Sequence, residues 1–401
     1  MKTVLALFRG DRVLWGIIAL LAIFSFLPVY SSSTNLAYVI GKGTPTGYLL
    51  KHLFIMIFGF GLLIAIHRIP YHYFKGISIL MLPVAVLLLL YTIAQGTTID
   101  GANASRWIRI PFIGLSFQSS TLASLTLLTY MATFLSKGKI QGLSFGKSFV
   151  QLWLPILTVV LLIFPSNLST AALLFFMCCT LIYVSGYPLK YLFGIIGTGL
   201  VLATLFILFA KAFPDAVPNR VDTWVSRIEN FSKADASDGN YQIERAKIAV
   251  ATGGLVGVGA GKSRMKNFLP QSSSDFIYAI IVEEWGAVGG VALILLYLIM
   301  WFRIVVITHK TSNPFGKLLV MGIGTPIILQ AFVNIAVALQ VFPVTGQTLP
   351  LISSGGTSAW MTCIALGMIL SVSRALEQKD TTASPTAVDH NNPLSVLSET
   401  L

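Results

Sequence analysis

The chain has 401 residues, of which 55% are hydrophobic and 10% charged, with a mean hydropathy of +0.81. That profile excludes a water-soluble globular domain, and repeated apolar runs of about 20 residues mark a polytopic helical membrane protein. The net charge of +12 is read as Lys and Arg that set topology in short loops, together with a basic site for an anionic lipid, and not as a nucleic-acid surface.

The predicted fold class is an all-α integral membrane protein. Ten transmembrane helices are expected at 14–30, 48–66, 75–94, 118–135, 149–165, 168–185, 188–211, 276–303, 316–340 and 357–376. The first span is too long for a cleavable leader and no small-residue cleavage site follows it. Lys and Arg concentrate in alternate loops: Lys2, Arg9 and Arg12 at the start, Arg68 and Lys75, then Lys137, Lys139 and Lys147, then Lys310 and Lys317, then Arg374 and Lys379. The positive-inside rule therefore puts both termini in the cytoplasm. Cys178, Cys179 and Cys363 sit in apolar runs and are expected as free thiols. The membrane domain is 1–376. It includes a large extracytoplasmic loop, 212–275, between helices 7 and 8, within which Tyr241–Val250 has helical spacing. Residues 377–401 turn polar and are expected to be a disordered cytoplasmic tail.

Taken in chain order, the first unusual segment is GANASRWIRIPFIG in loop 95–117. Arg106 and Arg109 beside Trp107 fit either a clamp for a pyrophosphate or ordinary anchoring at the membrane interface. The run GVGAGKS resembles a nucleotide-binding loop but has Val256 where the first Gly must stand. Gly-rich backbone flanked by Lys262, Arg264 and Lys266 retains the capacity to cradle a phosphate, with a hydrated loop as the plainer reading.

Next, a polar run ends in Asp275, and Glu283 and Glu284 follow inside an apolar stretch. Acids in a span cost about 2.5–3.5 kcal/mol each and are functional suspects. Asp275 alone could equally be a helix N-cap. The glutamates lie about 12–13 Å further along a helix, too far for a paired acid and base, which stand about 5–9.5 Å apart. If Asp275 catalyses, it is a single base. Finally, VFPVTGQTLPLISSGGTS (341–358) is rich in Pro and Gly. Such backbone at membrane depth fits a re-entrant, cavity-lining segment, against the alternative of a plain surface turn.

These stretches together resemble the SEDS family of bacterial cell-wall polymerases over about 11–376. The segments that carry the resemblance are GANASRWIRIPFIGLSFQSS, NLSTAALL, GNYQIERAKIAVATGGLVGVGAGKSRMKNFLPQSSSDFIYAIIVEEWGAVGG and PVTGQTLPLISSGGTS. The GDRVLW opening, the TLP of GQTLPLISSGG and the polar tail look more like the division branch, FtsW, than the elongation branch, RodA. The resemblance implies ten helices and a peptidoglycan glycosyltransferase acting on lipid II. It also implies a class B penicillin-binding protein as partner, among other divisome membrane proteins, and Asp275 as the proposed catalytic residue. The chain departs from the family where Thr121 and Ser124 follow Gln118 in place of a Glu and a Lys, and where Asn167 replaces an Asp. Roles of those charged groups cannot be carried over.

On this reading, Asp275 is the base for an acceptor hydroxyl. Arg106, Arg109, Lys262, Arg264 and Lys266 are candidates for the departing phosphates. Gln242 and Ser354 are further substrate-binding candidates, and Arg220 and Arg227, at family-like positions in the large loop, are expected to shape the cavity. Glu283 and Glu284 hold the helix in the bundle or couple a partner's signal. No cofactor is firmly implied; a divalent cation, Mg or Mn, is compatible with the chemistry. Two other classes stay open, a lipid II flippase and a non-catalytic division scaffold; no inverted repeat supports the former.

Overall fold

A computed structural model describes residues 8–38, 44–95, 98–99, 102–103, 107–109, 116–137, 145–212, 241–269 and 272–383. Arg106, Arg220, Arg227 and the tail beyond 383 lie outside the described residues. Among the described residues, apolar helices lie in the region of each predicted span. They are α1 Arg12–Tyr38, α2 Pro45–Arg68, α3 Phe74–Gln95, α4 Ser119–Leu135, α5 Phe145–Ile163, α6 Leu168–Val184 and α7 Leu189–Ala212, then α9 Ile277–Lys310, α10 Pro314–Ala338 and α11 Thr357–Ala383. Between α7 and α9 lies the amphipathic α8, Tyr241–Gly253, which buries Ile243, Ala246 and Ala249. Among the described residues, seven helices are long and apolar enough to cross a membrane by length and composition. Ser119–Leu135, Leu168–Val184 and Leu189–Leu202 are shorter apolar helices.

Three features differ from expectation. The fold is not purely helical: loop 95–117 contains two antiparallel ribbons, β1 Thr98–Ile99 with β2 Ala102–Asn103, and β3 Trp107–Arg109 with β4 Ser116–Gln118. Aromatic and β-branched side chains in Trp107 and Ile108 favour that pairing. The last helix continues to Ala383, well past 376, through residues such as Glu377 and Gln378 that propagate helices readily. Helix α9 is broken at Gly286, where φ is 69° and ψ −173°.

Close helix approach builds the bundle. A Cβ at Gly367 of α11 would meet the Leu63 carbonyl of α2 at 2.7 Å, and one at Gly59 of α2 would meet Cys363 Sγ at 3.0 Å. Small residues at these crossings let backbones touch, the packing mode open to helices in lipid. All three cysteines are free and buried. At one end of the bundle Arg303 of α9 forms an ion pair with Asp11, His67 Nε2 lies 2.9 Å from the Arg9 carbonyl, and Gly10 donates to Glu377 at 2.6 Å. Asp275, the start of α11 and the Gly-rich run lie at the opposite end.

Candidate functional site

A cavity of about 380 Å³ opens among α2, α4, α6, α10 and α11. Its mouth is polar: Lys51, Gln118, Thr121, Ser124, Thr170, Gln330, Gln347, Thr348, Ser354, Ser358 and Asp275. Its floor is apolar, with Leu125, Leu128, Leu174, Met177, Ile323 and Ile327. From Gln118 to Leu128 the wall runs about 15 Å along α4. An amphiphile with a sugar-like head and an apolar tail fits such a gradient, because hydroxyls and amides can bond the head while the floor covers the tail.

Asp275 is half-buried at the rim. The capping position of α9 is Phe276, which makes no side-chain cap. The segment before α9 is instead stitched to the run between α10 and α11. Ser354 donates to the Ser273 carbonyl from its amide and from its hydroxyl, both at 3.0 Å, and the Ser353 hydroxyl donates to the Ser274 carbonyl at 2.6 Å. Asn334 of α10 donates to the Asp275 carbonyl at 2.8 Å and the Gln347 carbonyl at 2.7 Å. Gln330 donates to the Thr348 carbonyl at 2.8 Å, and Gln347 to the Thr170 hydroxyl at 2.8 Å. The Pro- and Gly-rich run therefore lines the cavity, as expected of irregular backbone held within protein.

The other sequence candidates divide. Thr121 and Ser124 face the cavity, so the wall at those positions is uncharged. Asn167 caps α6, accepting from the Thr170 amide at 3.2 Å. Trp107 pairs with Gln118, a lining residue, and Arg109 pairs with Ser116 two residues further along β3. Lys262, Arg264, Lys266 and Gln242 do not line the cavity. Lys262 and Arg264 are exposed, and Lys266 Nζ donates to the Ser31 hydroxyl at 3.1 Å and the Gly261 carbonyl at 2.8 Å.

The Gly-rich run does not cradle a ligand with its backbone; it enters the hydrogen-bond ladder of α9. At the Gly286 break, Ala287 and Val288 bond to the carbonyls of Gly254 (2.8 Å) and Leu255 (3.2 Å), while the freed carbonyls of Glu283 and Glu284 accept from Val258 and Gly259 at 3.0 Å each. All four groups of the broken ladder are thereby satisfied. Glycine is required at Gly257 and Gly286, since both have positive φ and a Cβ at either would collide with the other segment's backbone.

Glu283 and Glu284, both buried, complete this joint. Glu283 accepts from the Ser263 hydroxyl, the Arg264 amide (2.9 Å) and the Met265 amide (3.3 Å); Glu284 accepts from the Ser31 hydroxyl and the Ser263 amide (3.3 Å). Their role is to hold the loop and α1 to α9. Among the described residues no three His, Cys, Asp or Glu side chains gather, and one carboxylate lines the cavity.

Sequence reasoning missed Lys51, Gln330, Asn334 and Gln347. The available signal for Lys51, Gln330 and Asn334 was a polar side chain inside a predicted span, where it carries an insertion cost; Gln347 lies in the run 341–358.

Residues 11–378 match the family model described as cell cycle protein, FtsW/RodA/SpoVE. The chain is 31% identical to the probable peptidoglycan glycosyltransferase FtsW of Geobacter metallireducens, over 92% of this chain and 96% of that one. It is 30% identical to the protein of the same name from Halomonas elongata, over 92% and 93%. Two solved structures are similar. One is a chain of a peptidoglycan synthase complex that coordinates polymerization and crosslinking (TM-score 0.70, 25% identity, 92% of this chain and 99% of that one). The other is the rod shape determining protein RodA of Thermus thermophilus (TM-score 0.63, 25% identity, 91% and 97%).

Proposed function

The chain belongs to the cell cycle protein family of FtsW, RodA and SpoVE, and on that premise we propose that it is a peptidoglycan glycosyltransferase of the FtsW type. It polymerises lipid II into β-1,4 glycan strands for septal wall synthesis. The observation that carries this reading is the half-buried Asp275 at the rim of an amphipathic cavity whose mouth is lined with hydroxyls and amides. Relatives named probable peptidoglycan glycosyltransferase FtsW support it.

Asp275 takes the proton of the acceptor's 4-hydroxyl as that oxygen bonds to the donor's anomeric carbon. The bond from that carbon to phosphate breaks, and its electron pair leaves on the polyprenyl diphosphate. A single displacement converts the α-linked donor into a β-linked product. Arg106 and Arg109, in the loop before α4, are further candidates for the phosphates. Ser354 orders the segment that carries Asp275. Lys262, Arg264 and Lys266 act on the outer surface of the loop joint, with Gln242, Arg220 and Arg227 in the same extracytoplasmic region.

The ten apolar helices are ten membrane spans, with both termini in the cytoplasm of a bacterial inner membrane and the cavity mouth outside. The grouping of Arg9, Arg68, Arg303 and Arg374 at the far end of the bundle supports that orientation. The partner is a class B penicillin-binding protein within the divisome, a reading supported by the likeness to a chain of a synthase complex.

The test is polymerisation of labelled lipid II by the purified protein, with the partner inactivated in its own transpeptidase, beside Asp275→Asn. Glycan strands from the wild type and not from the variant are expected. No strands from either, with folding and partner binding intact, would refute the enzymatic reading.

A further inference from the structure

Among the described residues the cavity wall carries one carboxylate, Asp275, and one cation, Lys51. Lys51 lies in the second turn of α2 and lines the same cavity as the segment that carries Asp275. That helix opens at Pro45 with Thr44 as its cap, the Thr44 hydroxyl accepting from Gly47 at 3.1 Å. Lys51 is exposed and makes no ion pair with any described residue. The wall positions Thr121 and Ser124 are neutral. The more obvious cationic cluster, Lys262, Arg264 and Lys266, is outside the wall.

A diphosphate within reach of this wall brings negative charge close to Asp275, in a space with an apolar floor where like charges repel far more than in water. Such a ligand needs a cation inside the cavity. We propose that Lys51 is the diphosphate-binding residue, which rests on the reading of the cavity as the place of sugar transfer from a diphosphate-linked donor. The donor's diphosphate then lies against α2 and the acceptor's hydroxyl against Asp275. As the anomeric carbon–oxygen bond breaks, the electron pair leaves on the diphosphate beside the Lys51 ammonium. The acceptor's proton passes to the Asp275 carboxylate. The two charged side chains thus divide the reaction, one for each end.

The test uses the full-length protein in detergent and two probes, undecaprenyl diphosphate and its uncharged counterpart undecaprenol. Binding is measured for wild type, Lys51→Met and Lys51→Arg at low and moderate salt. Lys51→Met is expected to weaken the diphosphate about tenfold or more, with undecaprenol changed less than about twofold. Lys51→Arg keeps the affinity within a few-fold, and the salt dependence shrinks in Lys51→Met alone. Thermal unfolding of the three proteins checks that the fold is shared. Wild-type diphosphate affinity in Lys51→Met, or equal losses in Lys51→Met and Lys51→Arg, would overturn the assignment even if lipid II is polymerised. A wild type that neither prefers the diphosphate nor polymerises lipid II would instead overturn the underlying reading of the cavity.

Discussion

Asn334 donates its side-chain amide to the backbone carbonyl of Asp275 at 2.8 Å, and the same nitrogen reaches the carbonyl of Gln347 at 2.7 Å. A buried side chain of α10 thus fixes both the entry to α9 and the irregular run between α10 and α11. Asn334→Leu keeps the size and removes both bonds. Leaving buried carbonyls without a donor costs about 1–3 kcal/mol each. The expected outcome is a lower unfolding temperature and a fall of about tenfold or more in kcat, since the base is displaced without being changed. A variant with wild-type kcat would show that Asp275 is positioned by other contacts.

The joint between the Gly-rich run and α9 gives a sharper steric prediction. Gly257 and Gly286 both have positive φ, and an added Cβ at either would strike backbone across the joint. Gly254 also has positive φ but has nothing within 4 Å of the same position. Gly257→Val and Gly286→Val are expected to destabilise the protein by more than about 3 kcal/mol, through strain and collision together. Gly254→Asn should cost about 1 kcal/mol or less, because Asn tolerates the left-handed region. Unfolding in denaturant separates the three variants. Equal losses at Gly254 and Gly257 would mean that backbone strain alone, and not the close approach, governs the joint.

The helices were legible because long apolar runs are the signature of membrane helices, and seven of those among the described residues are long and apolar enough to cross a bilayer. Asp275 drew attention as an acid that ends a polar run directly before such a stretch. The break at Gly286 was not legible, since residues on both sides are apolar and the groups that replace the ladder come from 254–259, far earlier in the chain. The phosphate-cradle reading of Lys262, Arg264 and Lys266 failed for a related reason. The amides at Arg264 and Met265 are turned toward Glu283, an interaction that residue spacing does not reveal. Lys51 passed unnoticed because a single Lys near the start of a span reads as a side chain reaching back to the interface. It becomes notable only when the fold shows which wall it faces.

Glu283 is the acceptor for three donors from 263–265. Glu283→Gln replaces one acceptor oxygen with an NH2 group, which cannot accept from the donors already in place. The loop is expected to detach locally while the cavity persists. Hydrogen exchange of amides in 257–267 should quicken markedly, with undecaprenyl diphosphate affinity within about twofold of wild type. Unchanged exchange would mean that the backbone bonds to α9 hold the loop without the carboxylate.

At the far end of the bundle, Arg303 of α9 pairs with Asp11, which also accepts from the Leu14 amide at 2.9 Å and so caps α1. The Asp11 side chain is 5% exposed and that of Arg303 27%. Removing the cation alone leaves a nearly buried carboxylate with a single backbone donor, so Arg303→Met is expected to cost about 2 kcal/mol, below the range for fully buried pairs because water still reaches Arg303. Asp11→Asn retains the capping oxygen and removes the charge. The double variant should therefore recover most of the loss, a coupling that a double-mutant cycle on unfolding temperature reads directly. Because the pair lies at the opposite end from Asp275, polymerisation per folded molecule should stay within about twofold of wild type in all three proteins. Additive losses in the double variant would show that Asp11 and Arg303 act on separate neighbours and that their ion pair contributes nothing of its own.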